Sequence, residues 1–123
     1  MTAKAPVQLS PAAGPTTVGT LRVPDLAALS LQATVRVEGP EAARVGCLLR
    51  SPSAGEFTPS YEATIAPGPG IAAAGTIAVP GWLDLPDVPG ANEPVAVVCS
   101  ASAPVSAAAT VQAIRVETVR PQP

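Results

Sequence analysis

The chain contains no histidine. Histidine is the commonest general base, the usual partner of a Ser or Cys nucleophile and a frequent zinc ligand, so its absence disfavours hydrolase chemistry and zinc sites. The nearest acidic set, Asp84, Asp87 and Glu93, is too sparse for Ca²⁺ and shows no spacing typical of a glycosidase pair. We therefore expect a protein that is not an enzyme, with no catalytic residue, no metal ligand and no cofactor.

Aromatic side chains are also scarce, with one Phe, one Tyr and one Trp among 123 residues. A buried aromatic side chain removes about 150–250 Å² from water, so a core with so few of them is thin and needs a crosslink or partner subunits. This favours a homo-oligomer. Tyr61 and Trp82 could stack on a sugar or on a partner, but we expect both to fill or cap the core instead.

Basic residues are few and scattered, and the net charge is −2. Nucleic-acid binding is disfavoured, because a phosphate backbone calls for a basic stripe. No segment approaches the roughly 20 apolar residues that span a bilayer, so no membrane contact is expected. The first residues, MTAKAPVQLSPAAGP, lack the apolar region of a signal peptide, and we expect synthesis in the cytoplasm.

Proline is abundant, with 16 residues in the chain. Because proline disrupts a helix interior, the sequence disfavours helix almost everywhere. Apolar and polar residues alternate instead, as in half-buried strands. Such segments occur at 29–37, 43–49 and 95–99, and further strands are predicted at 61–65, 71–79 and 109–118. The first two are predicted to form a hairpin through Gly39-Pro40-Glu41. We predict an all-β fold, an antiparallel β-sandwich or jelly roll of about six to eight strands.

The predicted sandwich covers residues 21–120, and residues 1–20 are predicted to be an extended, Pro-rich N-terminal arm. Candidate attachment residues in this arm are Pro6, Val7, Leu9 and Pro11. The last strand is apolar on both faces, which indicates a central strand or one at a subunit interface. Candidate interface residues are Val111, Ala113, Ile114, Val116 and Trp82. The loops 51–60 and 81–94 are candidate ligand-binding loops.

The two cysteines, Cys47 and Cys99, both lie in the inward phase of an alternating segment and are 52 residues apart. If their strands are neighbours or face each other across the core, the sulfurs can meet, and closing a loop of this length stabilises by about 4 kcal/mol in the chain-entropy model. We predict this disulfide. The alternative is two free cysteines that act as small buried hydrophobes.

Three short motifs resemble those of tumour-necrosis-factor-like jelly-roll domains in actinobacterial and actinophage structural and surface proteins. The matching residues are Val45, Cys47 and Leu49; Val95, Val97, Cys99 and Ser100; and Ala113, Ile114, Arg115 and Val116. The resemblance covers about residues 29 to 118, and the chain departs from it in the Pro-rich segment 84–94. It implies a jelly roll that forms trimers and serves as a structural or attachment module.

Together these features predict a structural protein of a virion, synthesised in the host cytoplasm. The expected function is that of a phage capsid decoration protein, which binds the major capsid protein or other particle subunits and stabilises the assembled shell. The alternative is a receptor- or glycan-binding tip domain of a tail fibre or a surface adhesin.

Overall fold

The computed structural model describes residues 6–24, 28–52, 55–84 and 92–115, and it is built from strands. The nine strands are β1 (Val7–Leu9), β2 (Thr16–Pro24), β3 (Ala28–Gly39), β4 (Ala43–Ser51), β5 (Gly55–Glu56), β6 (Tyr61–Ile65), β7 (Ala73–Asp84), β8 (Asn92–Ala101) and β9 (Val105–Arg115). The all-β prediction is confirmed, with strands at each of the alternating segments.

Two antiparallel sheets pack face to face. The first sheet has the strand order β1-β9-β3-β7, and the second has the order β2-β8-β4, with β5 and β6 both paired to the far edge of β4. Apart from β4, β5 and β6, which remain in one sheet, successive strands alternate between the two sheets. This is the strand order of a jelly roll.

The core lies between the sheets and consists almost entirely of Val, Leu, Ile and Ala. Alternate residues of every long strand point into it, for example Val35 and Val37 of β3 and Val95 and Val97 of β8. Tyr61 and Phe57 are half-buried against its edge. A core of small branched side chains is thin, and the two sheets must therefore approach closely.

The predicted hairpin between β3 and β4 is wrong. β3 pairs with β7 and β9 in the first sheet, whereas β4 pairs with β8 and β6 in the second, so the turn at 39–41 carries the chain across the sandwich. A Cβ on Gly39 would lie 2.9 Å from the Pro104 carbonyl oxygen and 2.9 Å from Val105 Cγ1. The glycine therefore allows the start of β9 to pass close to the crossing point.

The extended arm is a second correction, because most of residues 7–20 lies in the sandwich. β1 pairs with β9 through Val7↔Ala107 and Leu9↔Val105, and β2 pairs with β8. Leu9 is 1% exposed and belongs to the core. A break in the register between Thr17 and Gly19 forms a bulge, and Val18 within it is buried in the core as well.

Candidate interaction surfaces

The disulfide predicted from the sequence is present and joins the two central strands of the second sheet. Cys47 and Cys99 are directly paired across β4 and β8, with an S–S distance of 2.06 Å and a Cα–Cα distance of 4.1 Å. Both residues are buried. The bridge therefore covalently links strands that are 52 residues apart in the chain, and it stiffens the sheet whose outer face is described next.

The outer face of the second sheet has an apolar centre. Val98 points away from the core and is nevertheless only 6% exposed, because it lies between Leu48 on β4 and Thr17 on β2. Ala96, two residues earlier on β8, is half-buried in the same outward phase. We refer to Leu48, Ala96 and Val98 as the apolar centre.

Charged residues surround this apolar centre on the same face. Arg50 pairs with Ala96, and Arg22 pairs with Pro94, so both guanidinium groups stand at one end of the face. Arg44 is exposed at the other end, on β4. Glu56 and Glu62 lie along the β5–β6 edge. The arrangement is an apolar patch with a charged rim, which is typical of protein–protein interfaces.

The outer face of the first sheet is different, because short side chains cover most of it. Neighbouring outward positions on β7, β3 and β9 form rows across the sheet, such as Ala78–Thr34–Thr110. Its charged residues on β3 are Arg36 and Glu38, which have opposite signs and lie two residues apart. The face is therefore nearly flat and has no strong local charge.

Trp82 stands at one end of this flat face. It pairs with Ser30 at the start of β3, and its side chain is 55% exposed. The expectation that Trp82 fills or caps the core is therefore wrong. The core position beside it belongs to Gly81, where an added Cβ would lie 2.7 Å from Leu49 Cδ1 and 3.3 Å from the Phe57 ring.

An open depression of about 410 Å³ lies at the other end of the same face. Its lining includes Arg36, Glu38, Ala74, Thr76, Ser106 and Ala108. Ala74 and Ser106 pair with Glu38, and Thr76 and Ala108 pair with Arg36, so the depression spans two neighbouring rows of the sheet. A second depression of about 540 Å³ adjoins it at the end of the sandwich, where Pro40, Ala72 and Pro104 meet.

The remaining candidate residues fall into three groups. Val111 is in the core and Ala113 is half-buried against it, so β9 is a central strand and these two are not interface residues. The side chain of Ile114 and all of Val116 lie outside the described residues. In the predicted arm, Pro6 and Pro11 are exposed and Val7 is half-buried, but Leu9 is not available for attachment.

The candidate loops are shorter than predicted. Residues 81–84 extend β7 and residues 92–94 begin β8, while 85–91, with Asp87, lie outside the described residues. The 51–60 loop is held to the sheet edge: the Leu49 N–H donates to Thr58 Oγ1 at 3.0 Å, and the Phe57 N–H donates to the Leu49 carbonyl oxygen at 3.2 Å. Phe57 thus belongs to the packing of the sandwich.

The sequence does carry a signal for the apolar centre, although alternation alone overlooks it. The pairs Leu48-Leu49 and Val97-Val98 each place one apolar side chain in the outward phase of an otherwise alternating strand. Adjacent strands of one sheet bring these two exceptions together. The depression on the first sheet has no comparable signal, because Ala, Thr and Ser are ordinary outward residues.

Within the described ranges, no cluster of three or more metal-ligating side chains occurs. The same part of the chain holds no helix with the length and hydropathy needed to cross a bilayer. Comparison of the chain with models of protein families and with curated proteins finds no match. The two outer faces of the sandwich are thus the features from which a function is inferred.

Proposed function

We propose that the protein is a non-enzymatic structural subunit of a viral particle, a decoration protein that binds the assembled shell and stabilises it. The observation that carries this proposal is the apolar centre of Leu48, Ala96 and Val98 with its arginine-rich rim. Interface cores are depleted of charge and arginine is enriched in interfaces, so this face has the composition of a protein-binding surface.

The mechanism proposed is mechanical reinforcement. A subunit stiffened by a buried disulfide between its central strands resists deformation when it bridges neighbouring shell subunits. Burial of the surface that Leu48 and Ala96 still expose adds hydrophobic stabilisation of about 25 cal/mol per Å² removed from water, whereas Val98 is already buried in the free subunit. The rim carries both signs, with Glu56 paired to Arg50 and Glu62 nearby, so a shell surface of mixed charge is the expected partner.

The test is co-sedimentation of the purified protein with viral particles from cultures that produce it. Leu48→Glu places a charge in the apolar centre on the outer side of β4 and is expected to weaken particle binding by at least about tenfold. Ile71→Glu is the matched control, because it also replaces an aliphatic side chain by Glu, and Ile71 is exposed outside the strands that form this face. Equal binding of the two variants would contradict the proposed attachment face.

Trp82 favours a second candidate, a receptor- or glycan-binding tip of a tail fibre or surface adhesin. An exposed indole ring is a stacking surface for a sugar, and lectins are among the proteins with jelly-roll folds. This function predicts binding to whole cells that is lost in Trp82→Ala and competed by soluble glycans. The decoration function predicts binding to particles and none to cells.

A further inference from the structure

The flat face of the first sheet carries a large projection and a depression at opposite ends. Trp82 projects at the row of Ser30, and the depression spans the rows of Arg36 and Glu38. Thr34 lies midway between the rows of Ser30 and Glu38, four residues from each along β3. The depression, at about 410 Å³, is ample for an indole ring.

We propose that this face binds the same face of a second copy of the chain, about a twofold axis that crosses the strands at Thr34. Such an axis lays each strand antiparallel over its own copy, so the row of Ser30 faces the row of Glu38. Trp82 then faces Ala74 of the second copy, at the depression, and the contact occurs twice. A twofold contact of this kind closes and does not propagate into filaments.

The polar side chains match in the same arrangement. Arg36 faces Gln32 of the second copy, whose amide oxygen accepts a hydrogen bond from a guanidinium group. Glu38 faces Ser30 of the second copy, whose hydroxyl is a donor. Thr34 and its row neighbours Ala78 and Thr110 face themselves, and these side chains are short enough for two sheets to approach.

The area of the face agrees with a reversible dimer. From Ser30 to Glu38, at about 3.4 Å per residue, and across three to four strands about 4.8 Å apart, the face covers roughly 400–500 Å² per copy. The total of about 800–1,000 Å² is in the range of weak, reversible interfaces. The two tryptophans therefore contribute a large share of the affinity.

A second copy is favoured over another partner because the face is complementary to itself. Trp82 and the outer row of the depression are equally far from Thr34, and the opposite charges of Arg36 and Glu38 leave no net charge to select a strongly acidic or basic protein. The pairing does not depend on the proposed attachment to a particle. In the dimer, the two apolar centres point outward on opposite sides.

The test is the solution mass of the purified protein by sedimentation equilibrium over a range of concentrations, without particles. A monomer–dimer equilibrium is expected, with Trp82 emission moving to shorter wavelength as the dimer forms; the chain's single Trp makes this signal unambiguous. Trp82→Ala and Thr76→Arg, which fills the depression, are each expected to raise the dimer dissociation constant about 100-fold or more.

Mixing the two variants tests the symmetry. A mixed pair keeps one intact contact, between Trp82 of the Thr76→Arg chain and the depression of the Trp82→Ala chain. We expect it to associate more tightly than either variant alone and less tightly than the native protein. Ile71→Ala is the matched control, because Ile71 is 69% exposed and lies outside the strands that form this face, and its dimer should be unchanged.

Each variant is checked by circular dichroism, and Ala74→Arg replaces Thr76→Arg if the latter fails to fold. Three results would overturn the proposal: a monomer at every concentration with unshifted emission, a trimer or larger assembly, or undiminished association of Trp82→Ala. No particle is present in these experiments, so a negative result for the dimer does not affect the proposed decoration function. A negative result for particle binding likewise does not affect the proposed dimer.

Discussion

Single glycines allow close approaches in this thin sandwich, between the two sheets at Gly75 and between neighbouring strands of the first sheet at Gly39. At Gly75, an added Cβ would lie 2.7 Å from Ile65 Cγ2, across the gap between β7 and β6. At Gly39, the nearest atom is a backbone oxygen, that of Pro104. A side-chain methyl can rotate, but a backbone oxygen moves only if the strand moves, so Gly39 is the less tolerant position.

We predict that Gly39→Ala lowers the free energy of unfolding by about 1–3 kcal/mol. The control is Gly68→Ala, because a Cβ at Gly68 meets nothing within 4 Å and the residue has no positive φ. Both substitutions lower the conformational entropy of the unfolded chain equally. This effect alone would stabilise the folded protein by about 0.4–1 kcal/mol. Urea unfolding followed by circular dichroism measures the difference, and equal stability of the two variants would contradict the close approach at Gly39.

The strands depend on partners that are distant in the chain. β1 has only three residues and pairs with β9, about a hundred residues later in the chain. Its one side chain buried in the core is that of Leu9. We predict that Leu9→Ala costs about 2–4 kcal/mol of unfolding free energy, whereas Gln8→Ala on the exposed side costs less than about 0.5 kcal/mol. Equal urea midpoints for the two variants would mean that β1 does not belong to the folded domain.

The disulfide between β4 and β8 gives a second prediction for strand pairing. Breaking the bridge frees a loop closed over 52 residues, and the chain-entropy model puts the loss at about 4 kcal/mol. Native protein unfolded and refolded with reductant should therefore unfold at lower urea than oxidised protein. A variant with Cys47→Ala and Cys99→Ala should match the reduced protein and ignore reductant. A variant as stable as oxidised protein would contradict the prediction.

How much the sequence predicts differs between strands for physical reasons. Alternation locates β3, β4 and β6 well, because one face of each strand is buried and the other is solvated. It cannot say which strands pair, since a Gly-Pro turn looks the same whether it closes a hairpin or crosses the sandwich. β1 is missed because three residues carry almost no periodicity, and Leu9 is buried only through its distant partner.

The candidate surfaces also contain features that the sequence predicts and features that it does not. The disulfide is predictable because both cysteines share the inward phase, and their strands happen to be neighbours. The exposure of Trp82 is not predictable from composition, which suggests that a scarce aromatic residue belongs in the core. Gly81 explains the difference, because its missing side chain admits Phe57 and Leu49 at the position beside Trp82.

The whole molecule has two unlike outer faces on a stiff support. One is flat, has short side chains and carries Trp82; the other has an apolar centre with an arginine-rich rim. If the first face pairs two copies and the second binds shell subunits, each dimer presents two attachment faces in opposite directions. Because these faces point in opposite directions, only one of them can lie against a given shell, and the other remains free for a second protein surface.

The most direct measurement of the central claim is the copy number of this protein in purified viral particles. Particles from cultures that produce the protein are separated on a density gradient, and the protein is quantified against the major shell subunit in each fraction by mass spectrometry. A decoration protein gives a constant ratio across the particle peak and saturates when purified protein is added. Absence from the particle peak, with the protein found on cells or free in solution, would contradict the account.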